Sequence, residues 1–328
     1  MTSVNGYTDT DTSTLGNYLV QTAYDRYVEF ALRAVPLLRD VADKKPVQQA
    51  MPGSSVVFQI YTDLAQATAP LSEDTDPSPV ALGNTTSVSV TLNEYGNASL
   101  VTRKLELFSL SDVDPAIADI IAYNMADSLD AVVMSVLNGT TNLIAEESGA
   151  IVSSYTGGAP AINSVTSTDT IKSRDIRMAV SKLRANKVVP RSGEYYWVGI
   201  HPEVSIDLRA ETGAGGWREA HVYNESGAGQ LWPGSIGTYE GAMFVESPRL
   251  YNVMNTAVTP VRVFSTLVAG KQALAEAVAE EPHVVFGPIV DKLMRFRPIG
   301  WYGVAGWSLY RQAALSKILT TSSIHNLN

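Results

Sequence analysis

Between Lys45 and Arg103 the chain carries neither lysine nor arginine, and the same stretch holds two β-rich arms, residues 56–61 and 87–101, on either side of an acidic tip. The valine-, serine- and threonine-rich arms favour extended backbone. A long two-stranded ribbon cannot bury a face of its own and is marginal in water. The pattern therefore predicts an extended hairpin made to lie on something else. Between the arms runs Ala69-Pro70-Leu71-Ser72-Glu73-Asp74-Thr75-Asp76-Pro77-Ser78-Pro79, whose prolines and carboxylates exclude an interior strand and favour a solvated turn. An ordinary surface loop between two strands of one sheet is the simpler alternative.

The charge around this hairpin is one-sided. Residues 61–96 hold Asp63, Glu73, Asp74, Asp76 and Glu94 with no cation, whereas from Pro282 onward Lys292, Arg295, Arg297, Arg311 and Lys317 stand against Asp291 alone. An acidic arm and a basic closing section attract each other between copies. Exposed pairs contribute only about 0–1 kcal/mol each, so charge here sets register more than strength. The net charge of −9 argues against a dedicated nucleic-acid binder, which carries a basic patch.

At 328 residues the chain suits one elaborate domain or two ordinary ones. Hydrophobic residues at 45% and a mean hydropathy of +0.02 mark a well-folded globular protein. No run of about 18 uninterrupted apolar residues suggests a membrane span. The opening Met1-Thr2-Ser3-Val4-Asn5-Gly6-Tyr7-Thr8-Asp9 lacks the basic start and apolar run of a signal peptide, so synthesis and use in the cytosol are expected. The absence of cysteine removes disulfides, thiolate metal sites and cysteine nucleophiles together.

Along the chain, the polar segment up to Gly16 reads as an arm too poor in apolar side chains to fold alone. Residues 17–35 place Leu19, Tyr24, Tyr27, Val28, Ala31, Leu32 and Val35 at helical steps, ending by Pro36. A longer helix follows the hairpin. Asp114 is placed to cap it, Pro115 suits its first position, and Ile117, Ile121, Met125, Leu129, Val132, Val133 and Val136 keep one apolar face until Asn138-Gly139. After a Gly/Ser/Thr-rich connection, a second helix spans about Ile171 to Val188 and is closed by Pro190. A strand at 195–200 then leads through His201-Pro202-Glu203 into a short helix ending near Ala210. Glycines from Gly213 to Gly237 predict a long loop before a strand at 242–246. Strands at 261–267 and 283–286 and the aromatic stretch 301–307 complete the chain, which contains no internal repeat.

No catalytic constellation assembles from these parts. His201, His221, His283 and His325 are scattered without paired metal-ligand spacing, and His201 before Pro202 reads as the close of a strand. The adjacent pairs Glu146-Glu147 and Glu280-Glu281 do not share a helix face. Gly213-Ala214-Gly215-Gly216 and Gly227-Ala228-Gly229 lack the full dinucleotide fingerprint, and Gly270-Lys271 lacks the upstream glycine of a phosphate loop. Sequons at Asn84, Asn97, Asn138 and Asn224 have no secretory context. Neither enzyme chemistry, a metal nor a cofactor is expected.

An N-terminal arm, an acidic hairpin, a capped long helix, a glycine-looped α/β section and a returning strand-rich end, in this order, resemble the major capsid proteins of tailed bacteriophages. Two stretches carry the resemblance most closely: Trp197-Val198-Gly199-Ile200-His201-Pro202-Glu203, and Arg297-Pro298-Ile299-Gly300-Trp301-Tyr302-Gly303-Val304-Ala305-Gly306-Trp307. The resemblance implies the α+β Hong Kong 97-type capsid fold. It implies an arm and first helix over 1–45, an extended loop over 46–104, a peripheral domain over 105–170 with its spine helix at 114–137, an axial domain over 171–260, and a return to the peripheral domain over 261–328.

The implied function is self-assembly into an icosahedral shell around double-stranded DNA, from hexameric and pentameric capsomers, with each hairpin over a neighbour's peripheral domain. Leu71, Glu73, Asp74 and Asp76 on the tip and Arg295 and Arg297 near the C-terminus are the expected contact residues. The implied partners are further copies, a scaffolding protein during assembly, a portal protein, a decoration or cement protein and the packaged DNA, with no membrane. The scaffold is expected to be separate, since only a short arm precedes Asn17. Some shells of this family are welded by a lysine–asparagine bond from the extended loop, and here no lysine lies between Lys45 and Lys104 to supply it. The alternatives are an encapsulin-type compartment shell and a β-rich phage tail or binding module.

Overall fold

The computed structural model describes residues 37–46, 55–61, 86–108, 113–147, 150–154, 162–211, 235–289 and 295–324, with single positions or short runs among 64–81 and at 291 and 293. The predicted N-terminal arm, the helix at 17–35 and most of the glycine-rich loop lie outside the described residues.

In chain order the strands are β1 (Ala42–Pro46), β2 (Ser55–Ile60), β3 (Thr86–Thr91), β4 (Asn93–Thr102), β5 (Leu143–Glu147), β6 (Ala150–Ser154), β7 (Tyr196–Ile200), β8 (Ser235–Tyr239), β9 (Ala242–Glu246), β10 (Asn252–Met254), β11 (Arg262–Ala269), β12 (Leu274–Phe286), β13 (Phe296–Leu309) and β14 (Leu315–Thr320). The helices are α1 (Arg103–Phe108), α2 (Val113–Asn138), α3 (Ser173–Ala185) and α4 (Pro202–Ala210). Two main sheets form. One has the order β1-β12-β13-β4; the other has the order β6-β5-β14-β11-β7-β9-β8, with β10 beside β11.

The eight-stranded sheet is built from apolar runs. Every residue of β7 and β14, and all of β11 after Arg262, is buried, as strands covered on both faces require. Its strands come from both sides of the 171–260 segment, because β5, β6, β11 and β14 join it. α3 turns Ile176, Ala179, Val180 and Leu183 inward, and α4 turns in Val204 and Leu208. His201 does more than close the strand β7. Its Nδ1 accepts the Glu203 amide at 3.3 Å and caps α4, while its ring lies 4.8 Å from that of Phe264. Burial lowers the His201 pKa, consistent with a neutral ring that keeps this acceptor.

α2 begins one residue ahead of Asp114, whose side chain lies outside those described. At 1.5 Å per residue its length is roughly 39 Å. It packs on β4, β12 and β13, and Asn124 accepts both the Trp301 indole N–H at 3.1 Å and the Asn97 amide at 3.2 Å. Residues 117–138 are apolar and long enough to cross a membrane, with a mean hydropathy of 1.4. Here their buried stripe, Ile121, Leu129, Val133 and Leu137, belongs to the main core. The C-terminus of α2 is tied to the other sheet, where the Lys317 ammonium on β14 donates to the Asn138 carbonyl at 2.7 Å and to its side-chain oxygen at 3.1 Å. Burial pulls the Lys317 pKa down to about 8. Arg249 makes a second tie, reaching Asp127 and Tyr123 on α2.

The hairpin departs from expectation in two ways. Its second arm is two strands rather than one: β3 pairs antiparallel with β2, while β4 pairs with β13 from Ala305↔Asn93 to Phe296↔Thr102. Nor does the ribbon lack shelter along its whole length. Phe58 and Val90 are buried against Ala275 and Ala277 of the chain's own sheet, with the Phe58 and Tyr310 rings 5.8 Å apart. Gly306 permits that approach, since a Cβ there would overlap the Thr91 carbonyl oxygen. The base of the hairpin is therefore seated on its own body, and the expectation of a wholly unsheltered ribbon is corrected at that point.

Candidate assembly interface

Beyond the seated base the surface changes character. Leu71 is 77% exposed, and Tyr61, Leu64 and Val80 also face solvent. Glu73, Asp74 and Asp76 are exposed beside them. An apolar side chain left in water forgoes roughly 1.5–3 kcal/mol relative to full burial. The expected tip residues Leu71, Glu73, Asp74 and Asp76 are thus all exposed.

Arg295 and Arg297 lie at the other end of β13, next to the 287–295 turn. Both are exposed. Arg295 pairs with Asp291 at 2.6 Å and stands over the Phe296 ring at 5.3 Å, while Arg297 stands over Phe286 at 5.7 Å. Stacking of this kind holds a guanidinium in place and still presents its edge to an incoming carboxylate. The two arginines and the acidic tip occupy separate regions of the chain. Phe286 forms part of the surface that the arginines cover, a role its place in a short predicted strand did not foretell.

Sequence reasoning passed over α1. Its Leu107 and Phe108 are exposed by 72% and 79%, and they line a hollow of about 420 Å³ with Thr102, Arg103, Lys104, Arg295 and Phe296. The signal was present in Arg103-Lys104-Leu105-Glu106-Leu107-Phe108, where a basic pair precedes three large apolar residues that no neighbouring periodicity explains.

Several of the described residues considered for chemistry make structural contacts, and the buried Glu276, not singled out in the sequence, joins them. Glu276 is fully buried and takes the Arg39 guanidinium at 2.6 Å, which also reaches Glu281 at 3.3 Å. The His283 Nδ1 lies 3.0 Å from the Glu281 carbonyl oxygen. Gly270 and Lys271 form the turn between β11 and β12, with amides donating to Ala314 and Val189 carbonyls at 2.9 Å each. His221, His325 and both Gly-Ala-Gly groups lie outside the described residues. A shallow hollow of about 650 Å³ over β4, β12 and β13 is rimmed by Glu280, His283 and Tyr302 and floored by Gly96 and Gly300. Among the described residues no cluster of three or more histidines or carboxylates could hold a metal ion.

Two sheets braced by one long helix, with the β2–β3 hairpin seated on the smaller sheet, make the Hong Kong 97-type capsid fold. Residues 12–314 match the phage capsid protein family, and the chain belongs to it. It is therefore a structural shell protein of the virion, which associates with its own copies, and not an enzyme. Solved structures share the fold at low identity. The capsid of Ralstonia phage GP4 has a TM-score of 0.71 at 14% identity, covering 96% of this chain and 98% of that one. The head structure of Helicobacter pylori bacteriophage KHP40 has a TM-score of 0.70 at 12% identity, covering 97% and 99%. The capsid asymmetric unit of cyanophage Pam1 has a TM-score of 0.68 at 12% identity, covering 94% and 98%. No curated protein matches the chain. The family match sets aside both the tail-module and the compartment-shell alternatives.

Proposed function

We propose that copies of this major capsid subunit form hexameric and pentameric capsomers and close into an icosahedral shell around double-stranded DNA. In this reading the four-stranded sheet with α2 is the peripheral domain, the eight-stranded sheet with α3 and α4 is the axial domain, and residues between β1 and β4 form the extended loop. The tip residues Leu71, Glu73, Asp74 and Asp76 meet a neighbouring copy at the end that bears Arg295 and Arg297. The observation that carries this reading is a hairpin anchored at its base by Phe58 and Val90, yet exposing its apolar and acidic tip.

With no lysine between Lys45 and Lys104, the contact is non-covalent on the loop's side. Burial, strand addition and a decoration protein then hold the shell against the packed genome. The net charge of −9 suits a container that lets DNA slide, since a strongly basic inner wall would pin it. A scaffolding protein and a portal protein are the remaining partners that this reading requires. Negative-stain microscopy of the expressed protein should show capsomers or shells. Uniform closed shells from the subunit alone would remove the scaffolding protein from the scheme, and a small oligomer that never closes with any phage partner would remove the icosahedral reading.

A further inference from the structure

We infer that the outward face of α3 is the surface through which the subunit touches the phosphates of double-stranded DNA, and that this face lines the inside of the shell. The inference rests on the shell-subunit reading and deepens it by naming where the enclosed genome makes contact. Residues 172–191 hold seven of the chain's 24 cations but only one, Asp175, of its 33 carboxylates. This short run is thus strongly basic in a chain whose net charge is −9. α3 turns Ile176, Ala179, Val180 and Leu183 into the core, which leaves Arg174, Arg177, Ser181 and Arg184 at helical spacing on the opposite face. Arg177, Ser181 and Arg184 are exposed, as is Lys187 just past the helix end. Among the described residues Arg177, Arg184 and Lys187 have no carboxylate partner. Arg184 lies over Gly241 and still makes no ion pair with the adjoining Glu240. Arg311, donating to the Asn186 carbonyl at 3.1 Å, continues the basic surface beyond the helix.

Helix stability does not account for this stripe. Cations in the last turn complement the negative end of the helix dipole, which explains Lys182 and Arg184, but Arg174 stands in the first turn, where a cation is disfavoured. From Arg174 to Arg184 the face runs roughly 15 Å at 1.5 Å per residue, and one DNA strand places a phosphate about every 3.4 Å, so about four phosphates fit along it. Arginine grips phosphate with its forked edge, and serine hydroxyls donate to phosphate oxygens. An acidic protein segment, the hairpin tip of another copy included, needs an apolar centre to be held. Val189 is the only large apolar side chain exposed between residues 172 and 191, so this face offers charge and little else. Phosphate contacts carry no sequence information and let a duplex slide, as a packaged genome must. A single basic helix face also leaves the remaining, acidic surface of the subunit without a hold on the DNA.

The test follows a short mixed-sequence DNA duplex binding to the full-length protein, by fluorescence anisotropy across a salt series. Wild type should bind with a slope of log affinity against log salt of roughly −3 to −4. Arg177→Glu, Arg184→Glu and Lys187→Glu together should weaken binding about tenfold or more and flatten that slope, by roughly one for each cation lost. The neutral set Arg177→Gln, Arg184→Gln and Lys187→Gln should fall between that set and wild type, and it serves if the reversed set folds poorly. Arg295→Glu with Arg297→Glu, a reversal of exposed arginines elsewhere, should bind like wild type. Binding untouched by both α3 sets, or lost equally in the Arg295 and Arg297 pair, would overturn the inference. Polyglutamate binding as tightly as the duplex would also overturn it and give the face to an acidic protein segment. Shell yield should be the same with and without the α3 substitutions. A loss of shells with duplex binding intact would give the face to another copy and sink the DNA contact. Wild-type protein that binds the duplex through α3 yet makes no shells under any assembly condition would leave the face standing and sink the shell-subunit reading instead, so the two failures are distinguishable.

Discussion

Asp130 shows how one buried acceptor can bind the start of the described fold to the spine. Its carboxylate accepts the Leu38 amide at 2.8 Å from a position 1% exposed, and burial raises its pKa. Above the unfolded-state pKa the buried charge costs stability while the hydrogen bond contributes it. Asp130→Asn, which keeps an acceptor and removes the charge, should therefore leave chemical denaturation near wild type. Asp130→Ala should cost about 1–3 kcal/mol, because the Leu38 N–H loses its partner. Equal losses in the two variants would show that the charge itself matters. Lys317 tests the same logic with the opposite sign. Its folded pKa of about 8 lies below the ordinary 10.5, so between these values the unfolded chain binds more protons than the native one, and stability rises with pH. The stability of wild type relative to Lys317→Met should thus increase between about pH 8 and pH 10.5, by up to roughly 3 kcal/mol. A difference that stays flat over this interval in denaturation curves would contradict a native ammonium buried at the end of α2.

Among the elements, the hairpin has a base buried on the body and a tip exposed to solvent, and under the proposed shell reading the tip serves assembly. Deleting residues 71–79 should leave the subunit soluble, with its unfolding midpoint unchanged within error, and should abolish most shell formation, because the described tip residues contribute no buried side chain to the core. Gly306→Val should act differently, costing about 1–3 kcal/mol by forcing β3 off the sheet. Normal shells from the deletion would show the tip to be dispensable. The elements that were legible in the chain share a physical reason. α2 and α4 carry caps or prolines at their starts, and β7 and β9 are short apolar runs, all of them local signals. β1 and β14 were not legible. β1, Ala-Asp-Lys-Lys-Pro, is a strand only because β12 offers a parallel edge, and Lys317 in β14 is tolerated only because Asn138 receives it. The break between β3 and β4 was hidden for a related reason, since their sequence is uniformly β-prone and the change of partner is a tertiary choice. At the interface, the acidic tip and the arginines could be read as charge. The α1 surface left a signal in its basic pair and three apolar residues, but whether Leu107 and Phe108 face a core or solvent depends on where β4 ends.

At the scale of the molecule, the seam between the sheets carries the load. β11 and β12 are consecutive in the chain but lie in different sheets, joined by the turn 270–273, and Arg191 ties the same corner together through Asp43 at 2.7 Å and the carbonyls of Asp40 and Ala42. With α2 anchored to both sheets, the two sheets are held together as one body. Assembly geometry then follows from the angle that each contact imposes. Exposed charge pairs give about 0–1 kcal/mol each, and the screening length falls from about 10 Å at 0.1 M salt to about 3 Å at 1 M. The apolar part of the contact does not weaken in the same way. Raising sodium chloride from 0.1 M to 1 M should therefore leave association largely intact but broaden its products, with more open or irregular particles and fewer uniform shells by electron microscopy. If high salt dissolved the subunits into monomers, charge would be supplying strength and not register. If it left the size distribution untouched, the acidic tip would have no part in setting curvature.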